Sequence, residues 1–147
     1  MVVGGEDGRR QGYFEVELTA DAANRKMQLY VGIVKTGLDH DKHQQSSDNN
    51  AWFLGASYGS LYGNGTNGKE DYDAQGKLNV GDRVGVLVDL DGGEGGYGGS
   101  VRFFVNGSEY GPGYKSGVKG PVVLAVEIYD KGPVVTLLHD ALKPVGL

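Results

Sequence analysis

Hydrophobic and polar positions alternate along Tyr13-Phe14-Glu15-Val16-Glu17-Leu18. In an extended chain this puts Phe14, Val16 and Leu18 on one face and Tyr13, Glu15 and Glu17 on the other. Val84, Val86 and Val88 share a face by the same rule, as do Val101, Phe103 and Val105. No window sustains the three-to-four-residue spacing of an amphipathic helix, so the pattern predicts an all-β chain. Strands are expected over residues 13–19, 27–35, 51–56, 83–90, 100–105, 122–129 and 134–138, between Gly, Asn, Asp and Pro clusters. Short strands spaced by turn signals predict a sandwich or a barrel. Helix signals are weak, with single turns expected at 20–25 and around 141–143. Trp52, with bulky neighbours in Ala51-Trp52-Phe53-Leu54-Gly55, is expected in or against the core.

The 27 glycines fall mostly between the strands, where they serve backbone geometry. Residues 58–76 and 92–99 are expected as surface loops. Asn106-Gly107 follows an alternating run and predicts a tight hairpin turn. Asn64-Gly65 reads as a turn too, although both pairs open a glycosylation sequon. Tyr58, Tyr62, Tyr72, Tyr97, Tyr110 and Tyr114 are interleaved with Gly, Ser and Asn, a composition suited to recognition; the alternative is that these rings fold back as lids on the sandwich.

The 147 residues predict one domain, expected at 12–140 with a tail or partial first strand at 1–11 and a tail at 141–147. The absence of cysteine excludes disulfides, thiolate metal sites and a cysteine nucleophile. A net charge of -5 disfavours a nucleic acid partner, whose affinity rests on clustered cations. No apolar run is long enough to cross a bilayer, and Met1-Val2-Val3-Gly4-Gly5-Glu6-Asp7 lacks the marks of a signal peptide. The expectation is an intracellular domain away from membranes.

Four motifs carry possible chemistry. Gly55-Ala56-Ser57-Tyr58-Gly59 has the form of a nucleophile elbow, with Asp89 and His139 downstream in triad order, yet a glycine-rich loop follows where the elbow needs a helix. The spaced glycines at 63–68 and 93–98 open no helix that would receive a pyrophosphate. Asp89, Asp91 and Glu94 have calcium-ligand chemistry, but Gly93 stands at a ligand position and no closing glutamate follows. His40 and His43 flank Lys42 in a polar stretch that offers no fourth ligand. The reading is therefore no catalytic residue, no metal and no cofactor.

The strand-like segments, in their order, resemble the SPRY domain, the core of the B30.2 family. Gly12-Tyr13-Phe14-Glu15-Val16 resembles the family's opening strand, Tyr30-Val31-Gly32-Ile33 its Val-Gly-hydrophobic strand, and Gly81-Asp82-Arg83-Val84-Gly85 its Gly-Asp-x-Val-Gly element. Trp52 falls where the family commonly has tryptophan. Val101-Arg102-Phe103-Phe104-Val105-Asn106-Gly107 is similar to the family's Phe-x-Asn-Gly hairpin, and Gly120-Pro121-Val122-Val123 to its Tyr-Pro-x-Val ending without the tyrosine. Little chain precedes Gly12, so no PRY segment is expected. The resemblance implies a bent sandwich of two antiparallel sheets, concanavalin-like. It also implies a non-catalytic, monomeric adaptor or scaffold module that binds a peptide or protein surface through loops at one end. By position the resemblance implies Met27, His43, Tyr58, Tyr62, Tyr72 and Tyr129 as contact residues. A lectin-like sandwich stacking sugar rings on exposed tyrosines is the alternative.

Overall fold

The computed structural model describes residues 2–20, 29–37, 50–55, 60–63, 78–128, 134–138, 141 and 143–144. Eleven strands are formed within them: β1 (Val2–Val3), β2 (Gln11–Ala20), β3 (Leu29–Lys35), β4 (Ala51–Gly55), β5 (Ser60–Gly63), β6 (Arg83–Asp89), β7 (Gly99–Val105), β8 (Ser108–Glu109), β9 (Tyr114–Val118), β10 (Val122–Ile128) and β11 (Val134–Leu137). One sheet has the order β1-β10-β3-β4-β5. The other runs β11-β2-β6-β7-β8, with β9 also pairing β7, and every pairing is antiparallel.

Alternation decides which side chains meet between the sheets. Phe14, Val16 and Leu18 of β2, Val84, Val86 and Val88 of β6 and Val101 and Phe103 of β7 enter one core. They pack on Leu29, Val31 and Ile33 of β3 and Trp52 and Leu54 of β4 from the facing sheet. Trp52 is wholly buried, as expected. The Asn106-Gly107 turn also forms as expected: both residues take the left-handed conformation, at φ 52° and 86°, and join β7 to β8. The charged connection between β6 and β7 contains one 3₁₀ turn, Glu94–Gly96.

Three strands depart from the sequence expectation: β8 and β9 were not anticipated, and β5 lies inside the segment expected as loop. β1 lies in the segment expected as a tail or partial first strand. Tyr110 and Tyr114, expected in or beside loops, are core residues. Tyr114, on β9, reaches across the sandwich: its hydroxyl donates to the Tyr62 carbonyl at 2.7 Å and lies 3.4 Å from that of Phe53.

Candidate binding surface

The two sheets differ on their outward faces. In the five-stranded sheet, strand register sets out two neighbouring rows: Glu127, Tyr30, Gly55 and Ser60, then Ala125, Gly32, Phe53 and Tyr62. Glycine at two of these positions serves close packing: Gly55 lets the Tyr62 ring lie against the sheet, and Gly32 lets the backbone of β4 approach. A Cβ on Gly55 would stand 2.7 Å from the Tyr62 ring, and one on Gly32 would press into the Trp52 carbonyl and the Phe53 backbone. Tyr30 and Tyr62 pack edge to face at 4.9 Å, and Tyr30 meets Phe53 at 6.4 Å.

Phe53 sits beneath the tyrosines with Ala51 and Val34, all three buried, while Tyr30 and Tyr62 are half-buried beside Val123 and Ala125. β4 is buried at all five positions, on both faces. Burial, then Tyr62, then Glu127 raise the Tyr30 pKa. Tyr30 is therefore a neutral phenol at physiological pH, able to donate a hydrogen bond while its ring makes apolar contact.

The six-stranded sheet covers its outer face with its own side chains. Tyr13 lies over Gly85, where an added Cβ would meet its ring, and packs edge to face on Phe104 at 6.3 Å. Arg102 crosses the Phe104 ring 5.5 Å from its centre and makes a two-pronged bond to Glu109 at 2.8 and 2.7 Å. Glu17 and Arg83 pair at 3.2 Å on the same face. The Tyr13 phenol is pushed up to about 12 by burial first and then by Glu15. The five-stranded sheet thus carries half-buried aromatic rings on its outer face, where the six-stranded sheet carries the Arg102–Glu109 and Arg83–Glu17 pairs.

Tyr62 is the predicted contact residue that falls on this surface, on a strand and not in a loop. Met27, His43, Tyr58, Tyr72 and Tyr129 lie outside the described residues. Tyr30 and Phe53 were missed as candidates. Their signal was present in the doubly apolar run of β4 and in the alternation of β3 around Gly32.

Of the other sequence motifs, Gly55 ends a strand of an antiparallel sheet, whereas the nucleophile elbow belongs to a parallel one; Ser57 and His139 lie outside the described residues, as does His40. Asp91 pairs with Arg10 at 3.0 Å, and an Asp89 carboxylate oxygen accepts the Asp91 amide. Among the described residues no cluster of three or more His, Asp or Glu is placed to hold a metal, and no helix is long and apolar enough to cross a membrane.

The SPRY domain family model matches residues 11–137. Among solved structures, the SPRY domain of human HERC1 is similar in fold, with TM-score 0.63 and 16% identity over 90% of this chain and 77% of that one. A human SPRY domain is similar with TM-score 0.59 and 21% identity, covering 88% of this chain and 77% of that one. No curated protein sequence matches the chain.

Proposed function

The chain belongs to the SPRY domain family, whose members are generally protein-interaction modules, and from that premise we propose that it is a non-catalytic adaptor or scaffold module binding a peptide or protein loop on the outer face of its five-stranded sheet. The observation that carries this reading is the Tyr30–Phe53–Tyr62 cluster, whose two tyrosine rings lie against Gly55. Half-buried aromatics on a rigid sheet give large contact area at low entropy cost, which is the profile of an interface anchor. Tyr62 is further held from behind, because Tyr114 binds its carbonyl.

The Tyr62 ring leans toward Gly55, and so toward the sheet end where β4 finishes and β5 begins. In sequence, the segments carrying Met27, Tyr58 and Tyr129 adjoin the strand ends Leu29, Gly55 and Ile128 at that same end. We place the ligand's main contacts there. In sequence, the segments carrying His43 and Tyr72 follow the strand ends Lys35 and Gly63, at the opposite end of the sheet.

The test is capture of partners from cell lysate by the parent domain and by a Tyr30→Ala/Tyr62→Ala variant checked for an unchanged fold by circular dichroism. The reading expects a specific protein that the variant loses, with affinity down at least about tenfold. A partner held equally by both proteins would refute the placement.

A further inference from the structure

At one end of the six-stranded sheet the side chain of Asn106 ties the β7–β8 turn to the strands beside it. Asn106 opens that turn in the left-handed conformation, at φ 52°. Its backbone amide donates to the Arg83 carbonyl at 2.9 Å, and the Arg83 amide donates in return to the Asn106 side-chain Oδ1, also at 2.9 Å. The side chain thereby supplies the acceptor that a backbone carbonyl supplies in a regular antiparallel pair. Its Nδ2 donates to Asp82 Oδ1 at 3.0 Å, while Asp82 Oδ2 accepts the Asn79 amide at 2.7 Å. The Asp82 carbonyl accepts from the Leu18 amide and the Leu18 carbonyl from that of Gly81, so the connection continues into β2.

Asparagine meets three demands at once here: it tolerates a left-handed backbone, offers an acceptor to Arg83 and offers a donor to Asp82. Aspartate would keep the shape and the acceptor but lose the donor. It would set a second carboxylate against that of Asp82 across the 3.0 Å now spanned by a hydrogen bond, where like charges oppose one another. The chemistry that makes this exchange is built into the turn. Asn106 and Gly107 are both exposed, and a glycine that carries no side chain leaves its nitrogen open to close approach.

We infer that Asn106 is a modification site, at which water slowly converts the side-chain amide to a carboxylate, and that its bonds to Asp82 and Arg83 both hold the reaction back and are undone by it. The Gly107 amide nitrogen attacks Asn106 Cγ. The Nδ2 group leaves with the nitrogen's proton as ammonia, and a five-membered imide closes. Water then opens the imide at either carbonyl, giving aspartate or its β-linked isomer. The attack requires the Asn106 amide to turn away from Arg83 and Asp82 toward the following residue, so the reaction proceeds from the locally opened turn and is slowed by the opening equilibrium. Its product cannot restore the bond to Asp82. The connection therefore opens in one direction only, on a sheet separate from the one bearing the Tyr30–Phe53–Tyr62 cluster.

The test incubates the folded domain, the same chain unfolded in guanidinium chloride and a folded Asp82→Ala variant at mildly alkaline pH, and follows conversion at Asn106 by peptide mass spectrometry. The folded domain should react at least about tenfold more slowly than the unfolded chain, in which Asn106 keeps pace with Asn64 and Asn67, the other asparagines that precede glycine. Asp82→Ala should speed the folded reaction about fivefold, the factor equivalent to one net hydrogen bond. Asn106→Asp, which carries the product's charge, should lower the folded-to-unfolded ratio at neutral pH at least about tenfold. Adding Asp82→Asn should recover most of that loss, because an amide at position 82 again faces a carboxylate at 106. Equal rates in the folded and unfolded parent would overturn the protective role without recourse to any variant. An Asp82→Ala rate equal to the parent's would overturn the part assigned to Asp82, and Asn106→Asp as stable as the parent, or unrelieved by Asp82→Asn, would overturn the claim that the product opens the connection.

Discussion

Replacing Tyr114 with phenylalanine removes one oxygen atom and keeps the ring that packs on Phe103 at 6.4 Å. What is lost is the hydroxyl that donates to the Tyr62 carbonyl at 2.7 Å and lies 3.4 Å from the Phe53 carbonyl. Its single proton serves the shorter contact. A neutral hydrogen bond contributes about 1 kcal/mol net, and an inward carbonyl left without its donor adds to the loss. Together these predict about 1.5 kcal/mol of destabilisation, or a melting temperature lower by about 5 °C for a domain of this size. Urea denaturation followed by tryptophan fluorescence reads the change as a lower midpoint with unchanged m. The effect should also be local, with amide exchange in residues 60–63 rising more than in β6 or β7. A loss under about 0.3 kcal/mol, or exchange in β5 equal to the parent's, would refute the claim that Tyr114 anchors the strand bearing Tyr62.

Gly32→Ala should destabilise by about 3 kcal/mol, because its Cβ meets the β4 backbone, which has no flexible end to move aside; chemical denaturation measures it, and a loss below about 1 kcal/mol would count against this close approach. Tyr13, raised to about 12 in the folded state from an ordinary 10.0, contributes stability that is complete below pH 10 and declines as pH rises toward 12. Tyr13→Phe should remove that part of the alkaline loss in denaturation curves taken across the range, and an unchanged pH profile would oppose the assignment. Glu109→Gln weakens the pairing with the half-exposed Arg102, whose presence holds the Glu109 carboxyl below its usual range. Its stability contribution is present above the unfolded carboxylate pKa and is lost as pH falls through the lower folded value. At neutral pH the substitution should cost at most about 1 kcal/mol, and less at high salt; a larger, salt-independent loss would contradict it.

Much of the fold was legible because β2, β6 and β7 alternate cleanly and build the six-stranded sheet, where one face is core and the other carries its own ionic cover. Period-two patterning reports such strands directly. β4 reads as a continuous apolar run because it is buried on both sides, which was the visible sign of a covered outer face. The strands that escaped notice lacked these signals. β8 has only two residues. β9 alternates weakly and contains Gly117 at φ 81°, which reads as turn chemistry. β5 is Ser-Leu-Tyr-Gly inside a glycine-rich stretch, so local composition pointed to loop and only pairing with β4 makes it strand. The same tertiary override put Tyr110 and Tyr114 in the core. The aromatic cluster was invisible for a related reason: Tyr30, Phe53 and Tyr62 come from three strands, and only register brings them together.

The central claim, that partners dock on the outer face of the five-stranded sheet, is tested most directly by hydrogen–deuterium exchange of the domain with and without a captured partner. The account predicts protection at residues 30–34, 51–55 and 60–63, with β7 and β8 unchanged. Protection centred on Arg102, Phe104 and Glu109 instead, with β4 and β5 exchanging as in the free domain, would contradict it.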